Sequence, residues 1–220
     1  MNNTVTPPRN ATTAATDVLA SERRRRTDSL RAALLDLAVE LLAREGVAAL
    51  SMRRLAAAGG CSTTVLYNTF GSKAGIADAL FAEGFARFRA RLEQVPDDLD
   101  PLQRLIALRE AYRDNALANP HYYQVMFGSV IPDFVPSEQA LQAAHATLQV
   151  LADQVARCVA AGVFAEIDPM AAAETLWVAV HGAVSLELSG HLDPQVARSR
   201  FVAVTDAVGA TFLATADPRS

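Results

Sequence analysis

Apolar residues recur every three or four positions along most of this chain, the spacing that places them on one face of an α-helix. The first such segment runs from about Thr27 to Arg44 and stops before Gly46, a residue suited to ending a helix. Two short segments follow, with Ser51 and Ser62 as N-caps and Gly59-Gly60 between them. The pattern therefore predicts three helices within the first 70 residues.

The remainder of the chain keeps the helical period. Ser72 is placed to cap a fourth, longer helix through Arg91, and the Pro- and Asp-rich residues 95–101 form the clearest linker. No segment shows the two-residue alternation of a β-strand. We therefore predict an all-α protein of about nine helices, the last five at about 102–118, 121–128, 137–162, 169–189 and 194–213.

Composition narrows the classes of protein that this chain can represent. No run of 18 uncharged apolar residues occurs, so we predict that the protein does not enter a membrane and is cytoplasmic. Cys61 and Cys158 lack the paired spacing of a zinc site or a disulfide framework, and we expect two reduced thiols. No metal site and no cofactor is predicted.

Charge is unevenly distributed around the net value of −4. Residues 21–91 hold 12 basic and 7 acidic side chains, a sum of +5, which leaves 8 basic and 17 acidic side chains elsewhere, a sum of −9. This asymmetry favours one domain that faces a polyanion and another that does not. The run Arg23–Arg26 is compatible both with a solvated charge cluster and with contacts to DNA.

The two short helices match what the major groove of DNA accepts. On the second of them, Leu66 and Phe70 are four residues apart and should face the core, whereas Thr64, Tyr67 and Asn68 share the opposite face. Hydroxyl, phenol and amide groups on an exposed helix can hydrogen-bond with base edges. The segment therefore predicts a helix-turn-helix.

Positive side chains lie where an isolated helix disfavours them. Arg53 and Arg54 fall in the first turn of the second helix, and Lys73, the only lysine, falls in the first turn of the fourth. The positive end of the helix dipole repels these cations unless an anion joins them. A DNA phosphate would supply that anion, and the alternative is that these side chains only keep the surface soluble.

The segment Ser51–Ile76 reads SMRRLAAAGGCSTTVLYNTFGSKAGI and resembles the DNA-binding domain of tetracycline-repressor-like (TetR family) regulators. The matching features lie between Ala38 and Lys73. The resemblance implies that bases or backbone are contacted by Thr63, Thr64 and Tyr67, and that Lys73 holds a phosphate. With the exposed helix face, the predicted DNA-binding set is Arg53, Ser62, Thr63, Thr64, Tyr67, Asn68 and Lys73.

The second half of the chain resembles the family mainly in its helices. Trp177, His181 and Gly182 are similar to the Trp-His-Gly signature of one C-terminal subgroup. The family resemblance implies that this domain forms a homodimer and houses an effector pocket. We expect a small apolar effector, and the predicted pocket residues are Arg109, Tyr112, Tyr123, Met126, Phe127, His145, Trp177 and His181.

These inferences give a domain organisation and a function. We predict a disordered basic arm at 1–26, a helix-turn-helix domain at 27–72, a connector helix at 73–95 and an effector-binding and dimerisation domain at 96–220. The expected function is regulation of transcription at a pseudo-palindromic, double-stranded operator. Repression, with release by the small-molecule effector, is the default mechanism, and activation is the alternative.

Catalytic motifs are absent, and we predict that the protein is not an enzyme. No Gly-x-Ser-x-Gly, phosphate loop, dinucleotide fingerprint or His-Glu-x-x-His occurs. Glu187 and His191 stand four apart without a third ligand for a metal, so a surface pair or helix-end contact is the better interpretation. The alternative function is an all-helical ligand-binding or scaffold protein that does not engage DNA.

Overall fold

The computed structural model describes residues 10–214, with side chains from Val18 onward. This part of the chain contains nine α-helices and no β-strand, which confirms the predicted all-α fold. It divides into two compact units, one ending at Ile76 and the other beginning at Ala77. None of the helices within 10–214 is long and apolar enough to span a bilayer.

Helix α1 spans Asn10–Glu45 and begins well before the predicted start at Thr27. Residues 10–26 are helical here rather than disordered, because no proline or glycine interrupts the chain between Asn10 and Glu45. Residues 1–9 of the predicted arm lie outside the described residues. The helix ends at Glu45, and the next residue, Gly46, has a left-handed φ of 76° that favours glycine, as expected.

Helices α2, Met52–Ala58, and α3, Thr63–Phe70, complete the first unit with a 3₁₀ turn at Val47–Ala49. The Ser51 hydroxyl accepts a hydrogen bond from the Arg54 amide at 3.2 Å, which confirms Ser51 as the N-cap of α2. One apolar face of each helix builds the core. Its buried members include Leu35, Leu41, Leu42, Leu50, Leu55, Leu66 and Phe70.

Helix α4, Lys73–Leu92, begins in the first unit and continues into the second. The Ser72 hydroxyl accepts a hydrogen bond from the Gly75 amide at 3.0 Å, the capping role predicted for Ser72. A Cβ atom at Gly75 would lie 1.9 Å from the Phe70 carbonyl oxygen. Glycine at 75 therefore lets the first turn of α4 approach the end of α3.

Five helices follow in the second unit, close to the predicted positions: α5 Pro101–Ala118, α6 Pro120–Phe127, α7 Glu138–Ala160, α8 Pro169–Leu188 and α9 Pro194–Ala210. Side chains of Asp100, Ser137, Asp168 and Asp193 accept hydrogen bonds from backbone amides in the first turns of α5, α7, α8 and α9. Such caps fix where each helix starts.

The second unit is a helical bundle in which α5 packs against α7 and α8, and α8 packs against α7 and α9. Its core includes Leu105, Val155, Cys158, Phe164 and Leu176. The α7–α8 turn joins the end of α9 through two backbone hydrogen bonds, Ala165 N–H to Phe212 and Ala214 N–H to Val163. These bonds hold the last helix against the bundle.

Candidate DNA interface and ligand cavity

Helix α3 presents a polar face beside a buried apolar one. Leu66 and Phe70 are buried, whereas Thr64 and Asn68 are exposed and Tyr67 is 56% exposed. This face belongs to a short helix that starts after the Gly59–Cys61 turn. The result is a row of hydrogen-bonding groups on the outside of the unit, with a tyrosine at its centre.

The two arginines of α2 differ in their contacts. Arg54 forms two hydrogen bonds with the Glu45 carboxylate, at 2.9 and 2.6 Å, and these bonds hold the pKa of Glu45 below its usual range. Arg53 is exposed and forms no ion pair with the residues that the structure describes. The sequence argument from the helix dipole was therefore wrong for Arg54, whose anionic partner lies within the protein. The Arg53 guanidinium remains available to an anion from outside the protein.

Lys73 lies at the first position of α4 and its side chain is exposed. The contact between Gly75 and the Phe70 carbonyl fixes where this turn begins relative to the end of α3. All seven predicted DNA-contact residues are exposed on the first unit: Arg53, Ser62, Thr63, Thr64, Tyr67, Asn68 and Lys73.

The second unit contains a cavity of about 620 Å³. This volume lies within the usual range for small-molecule sites, of roughly 300–1,000 Å³. Helices α4, α5, α7, α8 and α9 line it, together with Phe127 at the end of α6. Five of the eight predicted pocket residues line this cavity, namely Arg109, Tyr112, Phe127, His145 and Trp177.

Tyr123, Met126 and His181 do not line the cavity. Met126 packs on α4, where a Cβ at Gly84 would lie 2.7 Å from its Cγ and Sδ atoms. Tyr123 and His181 belong to a hydrogen-bonded cluster next to the cavity wall. These three residues therefore support the wall, and a direct contact with a ligand is not part of this geometry.

The cluster joins α5, α6 and α8 around the His181 imidazole. Its Nδ1 atom lies 2.8 Å from the Tyr123 hydroxyl and 3.1 Å from the Tyr112 hydroxyl, and Nε2 lies 3.3 Å from the Ser185 hydroxyl. A neutral ring with its proton on Nε2 suits these contacts, because Nδ1 then accepts and Nε2 donates. Burial lowers the pKa of His181 and raises the pKa of both tyrosines.

Arg109 of α5 lines the cavity, and its side chain is largely buried. It donates hydrogen bonds to the Thr205 hydroxyl at 3.1 Å, to the Asp206 carboxylate and to the Glu110 carboxylate at 3.0 Å. The guanidinium charge is therefore matched by two carboxylates of the same unit.

Several residues of the site were missed by the sequence analysis. Phe85, Phe88 and Leu92 of α4 line the cavity, and its solvent-exposed lining residues, here called the rim, include Glu174 of α8 and Asp206 of α9. The helical spacing of Phe81, Phe85 and Phe88 was the available signal, but it also fits an ordinary core face. Glu187, considered as a metal ligand, instead forms two hydrogen bonds with Arg113, at 2.9 and 2.6 Å.

Two family models match the chain. The model described as bacterial regulatory proteins of the tetR family matches residues 34–80, and the model described as the tetracyclin repressor-like C-terminal domain matches residues 105–208. The first match covers the end of α1, then α2, α3 and the start of α4, and the second covers most of the bundle. Together they span more than half of the chain. A comparison with curated proteins finds no match.

Solved structures agree with this assignment. A protein of unknown function from a Rhodococcus species is 29% identical, with coverage of 84% of this chain and 95% of its own and a TM-score of 0.72. The TetR family transcriptional regulator PfmR from Thermus thermophilus is 23% identical, with coverage of 79% and 97% and a TM-score of 0.63, which shows a shared fold. With its helix-turn-helix and its helical C-terminal unit, the chain belongs to the TetR family of DNA-binding transcriptional regulators.

Proposed function

We propose that this protein is a homodimeric repressor that binds a pseudo-palindromic operator and is released from it by a small, largely apolar molecule. The proposal places its action in the cytoplasm. The observation that carries it is the pairing, in one chain, of an exposed polar face on α3 with a 620 Å³ cavity in the other unit. A ligand-binding or scaffold protein that does not engage DNA would have no use for the first of these features.

Operator recognition rests on α3 and its flanking cations. Thr63, Thr64, Tyr67 and Asn68 present donors and acceptors to base edges or backbone, while Arg53 and Lys73 neutralise phosphates at the starts of α2 and α4. We expect Thr64→Ala to alter the preferred operator sequence, because its hydroxyl is exposed on the face that enters the groove.

Dimerisation uses the outer faces of α8 and α9. Val178 and Leu186 are 65% and 48% exposed on α8, with Gly182 between them, and Val204 is 41% exposed on α9. A Cβ at Gly182 would meet no atom of its own chain within 4 Å. An apolar stripe with a glycine at its centre lets helices of a second copy approach closely and form a bundle.

Release requires that the effector prefer one conformation of the protein. Helix α4 starts at Lys73, and its later residues Phe85, Phe88 and Leu92 line the cavity. A ligand with higher affinity for a shifted position of α4 would change the separation of the two α3 helices in the dimer. They would then no longer match successive major grooves.

The DNA-binding proposal is tested by fluorescence anisotropy with promoter and random duplexes at two salt concentrations. We expect tighter binding to the promoter, with affinity for both falling as salt rises. Binding that does not depend on salt, or no binding, would contradict the proposal and favour the ligand-binding or scaffold alternative.

The dimer is tested by light scattering at micromolar concentration, with Gly182→Arg as the disrupting variant. We expect a dimer for the unaltered chain and a folded monomer for Gly182→Arg, because the added side chain has free space within its own chain. Ala165→Arg, at an exposed position of the α7–α8 turn, is the control and should remain dimeric. A monomeric unaltered chain would refute dimerisation.

A further inference from the structure

The charges at the cavity identify the class of ligand that it fits. One positive side chain, Arg109, and two carboxylates, Glu174 and Asp206, are among its lining residues, a formal sum of −1 with histidine counted as neutral. We infer that the cavity binds a hydrophobic cation, an ammonium or phosphonium group carried on an apolar body. This inference rests on the ligand-binding role proposed above and specifies the chemistry of the ligand.

The inner wall offers a ligand little beyond apolar contact. The Thr147 hydroxyl donates to the Ala144 carbonyl at 2.7 Å, and the Tyr112 hydroxyl is engaged by Tyr123 and His181. Thr205 contacts Arg109 and carbonyl groups of its own helix. Because these hydroxyl groups already have partners, they leave no free hydrogen-bonding group for the charged part of a ligand.

Arg109, the one arginine or lysine among the lining residues, is already paired and leaves a carboxylate ligand no free guanidinium. The guanidinium of Arg109 already donates to Asp206, Glu110 and Thr205, so an incoming anion would have to displace one of two carboxylates. It would also enter beside the carboxylates that remain. Repulsion between like charges makes that exchange unfavourable.

A cation finds the opposite situation. In the single chain Glu174 is exposed on α8, one turn before Val178 of the proposed dimer face, and within residues 10–214 its carboxylate has no hydrogen-bond or ion-pair partner. The Asp206 side chain is 60% exposed despite its bond to Arg109, so it can approach a second cation. These two carboxylates give the rim a negative potential that attracts positive charge.

Aromatic rings extend the same preference into the cavity. Ring faces carry negative electrostatic potential and attract cations, and they also provide a large apolar contact area. Six rings line the cavity, those of Phe85, Phe88, Tyr112, Phe127, Phe164 and Trp177. The wall therefore accepts both the apolar body and a charge delocalised over it.

The experiment compares two ions of nearly identical shape and opposite charge, tetraphenylphosphonium and tetraphenylborate. Trp177 is the only tryptophan and lines the cavity, so quenching of its fluorescence reports occupancy directly, with calorimetry as the second measurement. We expect the phosphonium ion to bind about tenfold or more tightly than the borate ion at low salt.

Neutral isosteres of the rim carboxylates test the cause of this preference. Glu174→Gln should weaken binding of the phosphonium ion by about two- to fivefold, the range for one partly exposed charge pair. Asp206→Asn should do the same and also improve binding of the borate ion, because Arg109 loses one of its carboxylates. Glu166→Gln, with the same change of charge at an exposed position outside the lining, should bind both ions unchanged.

The inference is wrong if the borate ion binds as tightly as the phosphonium ion or if neither ion binds. It is also wrong if Glu174→Gln binds the phosphonium ion as tightly as Glu166→Gln does. Failure of the proposed function gives a different result. Phosphonium binding that leaves operator affinity unchanged would refute release by an effector while supporting the ligand class. Operator release by an uncharged apolar compound, with neither tetraphenyl ion bound, would support release by an effector and refute the ligand class.

Discussion

Polar side chains serve opposite purposes in the two units. On the first unit, Thr64, Tyr67, Asn68 and Lys73 are exposed and carry their hydrogen-bonding groups outward. On the second, Tyr112, Arg113, His181 and Glu187 are at least partly buried and bond to one another. The comparison indicates that the first set is available to a partner, whereas the second set holds the bundle together around an apolar space.

This difference separates two kinds of mutational effect. Removing an exposed group of the first unit should reduce DNA affinity with little change in the free energy of unfolding. Removing a group from the paired set should destabilise the second unit, because its former partner is left buried and unsatisfied.

The largest effect is expected for Tyr67→Ala. Loss of the phenol ring from the centre of the α3 face should reduce operator affinity to that for random DNA, a loss of about a thousandfold. Anisotropy measures this loss, and calorimetric unfolding should show a nearly unchanged melting temperature because Tyr67 is 56% exposed. A large fall in melting temperature would mean that Tyr67 belongs to the core, and it would contradict the contrast between exposed groups of the first unit and paired groups of the second.

Next in size is Glu187→Ala in the second unit. Arg113 and Glu187 have side chains only 11% and 13% exposed, so leaving Arg113 unpaired should cost about 3–5 kcal/mol in the free energy of unfolding. Chemical denaturation measures this loss. Glu93→Ala is the matched control, because its pair with Arg89 is 57–59% exposed and should be worth less than about 1 kcal/mol. Equal losses for the two variants would contradict the contrast.

A smaller effect on binding is expected for Lys73→Ala. Loss of one phosphate contact should weaken all duplexes by about tenfold and reduce the slope of log affinity against log salt by about 0.9. Lys73→Arg keeps the charge and should retain most of the slope. If Lys73→Ala binds like the unaltered protein at moderate salt, the start of α4 does not contact the DNA backbone.

The smallest effect is a pH dependence of stability centred on His181. Because burial lowers the pKa of this imidazole in the folded state, the unfolded chain takes up its proton first as pH falls. Stability of the second unit should therefore be full above about pH 6.5 and decline below it. His181→Gln should flatten that decline in denaturation curves at pH 7 and pH 5, whereas the exposed His121→Gln should not.

Helix positions could be predicted from the sequence because local signals set them. Ser51, Ser72 and Gly46 act within one turn of their own position, and their predicted capping and stop roles are present in the structure. Ser62 lies at the predicted N-cap position of α3, but its side chain accepts no capping hydrogen bond. The predicted start of α1, at about Thr27, was wrong because a polar, alanine-rich segment shows no apolar period even when it is helical. Apolar periodicity indicates that one face of a helix is buried, and residues 18–30 have almost no buried face.

Partners across helices could not be predicted in the same way. The pairing of Arg54 with Glu45 depends on how α1 meets α2, which the spacing along either helix does not contain. On α6, Tyr122, Tyr123, Val125 and Met126 are all buried, so no polar face indicated that Phe127 would reach the cavity and Tyr123 would not. A helix buried on most sides gives no periodic signal for its functional side.

The presence of a single lysine has a practical consequence for chemistry on this protein. Apart from the terminal amine, Lys73 is the only primary amine in the chain, and it lies exposed at the start of α4. An amine-selective acylating reagent therefore modifies one side chain, and acylation removes its charge. The extent of acylation at the Lys73 amine therefore shows whether an anion covers that position. Mass spectrometry can measure this extent on the unaltered protein, without any substitution.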